Sequence, residues 1–132
     1  MNIEIAHSLI EIVKSEASKD NFAVCITIMD AAAHLVAFAR MDGANIGPID
    51  VSMKKARTAS LFQTDSLALG ELAQPGGPIY TLENTNGGLI SFGGGVVIRD
   101  RNDVVIGSIG VAGATFEADE KMAQLAAASL RN

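Results

Sequence analysis

Tryptophan is absent, tyrosine and cysteine each occur once, and no apolar run approaches the length a bilayer-spanning helix requires. The single cysteine, Cys25, excludes an internal disulfide framework and a cysteine-based zinc site. It lies in Phe22-Ala-Val-Cys-Ile-Thr-Ile-Met29, a run that reads as a buried strand, so it reads as a small hydrophobe rather than a nucleophile. Positive charge is scarce: ten Lys and Arg face fifteen Asp and Glu, a net charge of −5. Phosphate backbones need a basic face, so nucleic acid is excluded as a general partner. The nearest approach to a basic cluster is Lys54, Lys55 and Arg57, which reads as a solvated helix face. No basic n-region opens the chain, and Glu11, Lys14 and Glu16 interrupt the first apolar pattern, so a cytoplasmic protein with no membrane partner is expected. Residues 1–132 are long enough to bury one core and carry no linker-like stretch, which predicts a single domain.

What is present is periodic. Ile3, Ala6, Ile10, Val13 and Ala17 recur at helical spacing, with His7, Glu11, Lys14 and Ser18 on the opposite face. Residues 22–30 read as a central strand apolar on both faces. After a short connection, residues 34–40 read as a strand paired antiparallel to it. Period-2 alternation places His34, Val36, Phe38 and Arg40 on one face. Pro48 suits the first turn of a helix running to Phe62, a further helical turn or two covers 64–73, and Gln74-Pro-Gly-Gly-Pro78 stops it. Leu89–Phe92 reads as a short strand, and Val96–Arg99 and Val104–Gly110 as strands joined by a turn. A last helix opens at Thr115, with Glu117 and Asp119 against its dipole, and runs to Leu130. This order, α-β-β-α-α-β-β-β-α, argues an α+β fold on an antiparallel sheet. Glycines in and beside the late strands (Gly93, Gly94, Gly95, Gly107, Gly110, Gly113) signal bends or close approach; the last three are expected to admit the first or last helix.

Asp30-Ala-Ala-Ala-His34-Leu-Val, Arg40-Met-Asp-Gly-Ala44, Lys54-Lys-Ala-Arg-Thr-Ala59, Gly93-Gly-Gly95 and Ile106-Gly-Ser-Ile-Gly-Val-Ala-Gly113 occur in this order over nearly the whole chain. Together with the acidic Glu117 and Asp119, they resemble the GlcG / HbpS / PduO C-terminal family. The chain departs from that family at Ala33, where members often carry glycine. The resemblance implies a profilin-like fold, a five-stranded antiparallel sheet with helices on both faces, and a homo-oligomer. It implies a small ligand-binding protein for haem or a related tetrapyrrole, associated with glycolate, glycerol or propanediol metabolism. An accessory protein binding a corrinoid, a small organic acid or a partner enzyme is the alternative.

Haem iron needs an axial ligand, most often an imidazole nitrogen. Two histidines are available: His7 on the polar face of the first helix and His34 at a strand end. Each is either an ordinary exposed or hydrogen-bonded histidine or a ligand; the resemblance favours His7 as the metal-binding residue and puts His34 second. Arg40 or Lys55 would meet a carboxylate, Arg by a bidentate contact and Lys as a point charge, unless Arg40 simply pairs with Asp42. Gly93 and Gly94 would offer backbone N–H groups as an anion nest, or merely bend a strand entry. Glu117 and Asp119, two apart on a helix, face different ways and read as dipole and cap residues rather than an acid–base pair. An enzyme acting on a small carboxylated substrate requires Arg40, Asp42 and Lys55 to converge on one pocket.

Overall fold

Four strand-forming stretches find one another across the chain and leave the helices to cover them. The computed structural model describes residues 1–131. Helix α1 (Ile3–Lys19) starts at Asn2, whose side chain accepts the Ile5 N–H at 2.8 Å. Strands β1 (Cys25–Asp30) and β2 (Leu35–Arg40) form a hairpin. Helix α2 (Gly47–Phe62) and the short α3 (Ser66–Leu72) follow. An irregular stretch with one 3₁₀ turn (Leu82–Asn84) leads to β3 (Gly95–Arg99), β4 (Val105–Ala112) and α4 (Phe116–Ala128), the last capped by Thr115. The sheet order is β2-β1-β4-β3, every neighbour antiparallel.

The α+β architecture on an antiparallel sheet is as expected, but the sheet has four strands rather than five. Leu89–Phe92 is the missing one. Its backbone donors are taken up outside any ladder: the Leu89 N–H donates to the Glu83 carbonyl (3.0 Å), the Ile90 N–H to Thr58 Oγ1 (3.1 Å) and the Ser91 N–H to Glu83 Oε2 (2.8 Å). The alternation expected in β2 also breaks. The register slips opposite Ile28 and Met29, so Leu35 pairs with Met29 and Val36 stands unopposed. Leu35, Phe38 and Arg40 therefore share a face, while Val36, Ala37 and Ala39 turn to the core.

Two layers of different chemistry cover the sheet. On one face α1 and α4 bury Leu9, Ile10, Val13, Met122 and Ala126 against Ile26, Ile28, Val96, Ile98, Ile109 and Val111. On the other, α2 lies across β1, β4 and β3 on small and hydroxylic side chains. Thr27 and Ser52 share a 2.9 Å hydrogen bond, Ser60 and Ser108 one of 2.7 Å, and Ser108 also donates to the Ala56 carbonyl. Glycine sets the spacing of this layer: a Cβ on Gly110 would stand 2.0 Å from the Ser52 carbonyl oxygen, and one on Gly95 2.3 Å from that of Lys55. Gly110 thus admits α2, not the first or last helix, while a Cβ on Gly107 would stand 2.1 Å from the Met29 carbonyl oxygen and one on Gly113 3.2 Å from that of Ala23, so those two admit neighbouring backbone instead. Among the described residues no helix is long and apolar enough to cross a membrane.

Candidate functional site

Lys55 does not lie on a solvated helix face. It leaves α2 toward the ends of β3 and β4 and is only 1% exposed. Its Nζ donates to the Val111 carbonyl at 2.8 Å and to Asp119 Oδ2 at 3.2 Å, and lies 5.1 Å from the centroid of the Phe92 ring. Space for it exists because Gly94 has no side chain: a Cβ there would stand 2.6 Å from Nζ. Asp119, in the first turn of α4, also accepts the Ala114 N–H at 3.1 Å. It is therefore more than a dipole residue. Burial lowers the Lys55 pKa and raises that of Asp119, each opposed by the other's charge. The pair joins α2, on one face of the sheet, to the start of α4, on the other.

The polar face of α1 holds a different arrangement. Lys14 lines a cleft of about 330 Å³ with Ala39, Arg40, Met41 and Asp42. Arg40 is exposed, and among the described residues no ion pair joins it to Asp42. Lys14 pairs with Glu11 at 3.0 Å on the surface. His7 is exposed seven residues before Lys14, hence on the same side of the helix and about 10 Å away along its axis. Lys14 escapes a reading of the sequence because it is one of several charges on a polar face; only the fold sets it beside Arg40. Cys25 is buried, and burial pushes its thiol pKa up, as befits a core residue.

The remaining residues stand elsewhere. His34 closes the β1–β2 hairpin. Its backbone N–H donates to Asp30 Oδ1 (2.9 Å), and its exposed ring brings Nδ1 to 3.6 Å from Asp30 Oδ2. Those contacts, with the Ala32 N–H, hold the Asp30 carboxyl below its ordinary pKa. Gly93 and Gly94 are buried. The Gly94 N–H already donates to Glu120 Oε1 at 2.9 Å, so the chain's own carboxylate occupies that donor. Arg40 and Asp42 line a cleft with Lys14 while Lys55 is sealed against Asp119, so the three residues that an enzyme reading requires do not converge. Among the described residues no group of three or more His, Cys, Asp or Glu could hold a metal ion.

The chain is similar to known proteins over almost its full length. It is 31% identical over 127 residues to an uncharacterized 15.0 kDa protein from the dhaT-dhaS intergenic region of Citrobacter freundii, covering 96% of this chain and 89% of that one. It is 31% identical to the corrinoid adenosyltransferase PduO of Salmonella typhimurium over 94% of its own length but only 37% of PduO. The crystal structure of a PduOC–haem complex superposes with a TM-score of 0.91 at 30% identity, covering 98% of this chain and 94% of that one. The family model described as haem degrading protein HbpS-like matches residues 1–128, and the chain belongs to that HbpS-like family.

Proposed function

We propose that this protein binds haem or a closely related tetrapyrrole on the outer face of α1. The observation that carries the reading is the cleft that sets Lys14 beside Arg40, two helical turns from an exposed histidine on the same face. His7 would supply the imidazole nitrogen to the iron, with His34 the second choice. Arg40 would take an acidic side group through its planar fork, and Lys14, rather than the buried Lys55, would add a point charge. Asp42 on the cleft rim orients whatever reaches Arg40. Bound haem would supply its own redox chemistry, which the axial ligand and the surrounding polarity tune. Two findings support the reading from outside the chain: the structurally similar PduOC forms a complex with haem, and the family is described as haem degrading.

The test is a hemin titration of the purified protein followed by absorbance. A saturable Soret shift is expected, lost in His7→Ala, kept in His34→Ala, and weakened several-fold in Lys14→Gln and Arg40→Gln. A wild-type protein that gives no saturable shift overturns the haem reading. The similarity to PduO favours a second one, an accessory protein of glycolate, glycerol or propanediol metabolism that holds a corrinoid or small acid or meets a partner enzyme. A corrinoid titration of the same samples separates the two.

A further inference from the structure

The outer edge of β3 carries a second, larger recess, of about 550 Å³, between α3 and α4. Strand edges of this kind usually invite another strand, but the first half of this one is already engaged by the chain's own side chains. Two of the three β3 residues whose N–H groups point away from β4 already have partners: the Gly95 N–H donates to Ser66 Oγ (3.0 Å) and the Val97 N–H to Asp65 Oδ1 (2.9 Å). Asp65 is itself held from the far wall, its Oδ2 accepting from Gln124 Nε2 at 2.9 Å. Along Gly95–Val97 the strand edge is therefore already engaged, while the recess beside it remains open. Val97 and Ala68 give it an apolar lining, and α4 contributes Gln124 and the small Ala127 and Ala128 to its wall.

Its two ends differ in charge. Asp65 and Gln124 close one end. Arg99 and Arg131 stand at the other, both turned to Asp103: Arg99 Nη1 donates to its carbonyl (3.3 Å) and Arg131 Nη1 to its Oδ1 (2.8 Å). Gln124 lies on α4 and Arg131 three residues past its end, which sets the two ends apart along the recess. Each guanidinium carries five N–H donors, so binding Asp103 leaves most of them for another anion. The Arg131–Asp103 pair is largely exposed, and such a pair yields readily to a competing carboxylate.

We propose that this recess is a binding site for a small organic carboxylate with an apolar body. The body lies on Ala68, Val97 and Ala128, and the carboxylate meets Arg99 and Arg131. The site is separate from the His7 face and does not rest on the haem reading.

Decanoate is the probe, with decanol, which has the body without the charge, and butyrate, which has the charge without the body. Amide chemical shifts of the ¹⁵N-labelled protein should move saturably with decanoate at Val97, Arg99 and Ala128, and decanol and butyrate should each bind at least tenfold more weakly. Arg99→Gln with Arg131→Gln should weaken decanoate about tenfold and leave decanol unchanged. Ala128→Leu, an exposed change at the end of α4 that fills the recess, should abolish decanoate binding while the remaining amide spectrum keeps its dispersion. Equal binding of decanoate and decanol, shifts centred away from β3 and α4, or unchanged affinity in Ala128→Leu would each overturn the proposal.

Discussion

A lysine taken out of water needs an opposite charge, and Lys55 has one in Asp119. Removing one partner strands the other, so Lys55→Met should cost about 3 kcal/mol, at the lower end of what breaking a buried pair costs, because the Ala114 N–H still supports Asp119. Lys55→Met with Asp119→Asn should recover most of that loss, since no buried charge is left; urea midpoints of the three proteins measure it. Equal losses in the single and double variants would mean that packing, not charge, is what Lys55 supplies. Ala33 offers the opposite case. It sits at φ +65°, in the left-handed region that favours glycine, in the Asp30–His34 turn. Ala33→Gly should remove the steric strain but loosen the unfolded chain, a net gain of about 0.5–1 kcal/mol in urea denaturation. The sequence alone carried the departure at position 33 but not its consequence, because nothing in Asp30-Ala-Ala-Ala-His34 says which alanine takes the positive φ. Lys55 was equally illegible. A lysine beside another lysine on a helix reads as solvated, and only the fold places it under Gly94 and against Asp119, an acid sixty-four positions away.

Elements were more legible than residues, because each announces itself through period and punctuation. The spacing of Ile3, Ala6, Ile10, Val13 and Ala17 marks α1, Pro48 opens α2 within its first turn, and Thr115 caps α4. Failures occur where side chains compete with the ladder or alternation is interrupted. Leu89–Phe92 has strand-like composition, yet Thr58 and Glu83 take its backbone donors; the slip beside Val36 turns Leu35 to the other face. The late glycines signalled close approach correctly but not what approaches. Around Gly110 it is α2, whose Ser52 carbonyl leaves no room for a methyl group. Gly110→Ala should therefore push α2 away from β4 and cost about 2 kcal/mol or more. Hydrogen exchange would locate the damage: amides of α2 should lose protection ahead of those of α1, which packs on the opposite face. Uniform loss across both helices would mean that the glycine serves the sheet itself and not the α2 contact.

At the scale of the whole molecule, the two faces of the sheet are covered unequally. Helices α1 and α4 close one face over a continuous apolar core, while α2 spans β1, β4 and β3 on the other. Beyond α2 lies the outer strand β2, with Leu35 51% exposed and Phe38 on the same face. Because Ala37 and Ala39 take the ladder bonds to β1, the backbone groups of Phe38 and Arg40 point to the free edge. An apolar strip beside an open strand edge is what soluble proteins bury against a partner. The chain as its own partner fits best, since an antiparallel strand pair about a two-fold axis places the same residues on both sides. Sedimentation equilibrium at micromolar concentration should then give a mass at least twice 13.7 kDa. Leu35→Lys with Phe38→Lys should shift it toward the monomer, since like charges brought together across the axis repel. Both positions are partly exposed, so the variant should keep its circular dichroism and its hemin response if His7 acts within one chain. A wild-type monomer, or a variant assembly of unchanged mass, would move the interface away from β2.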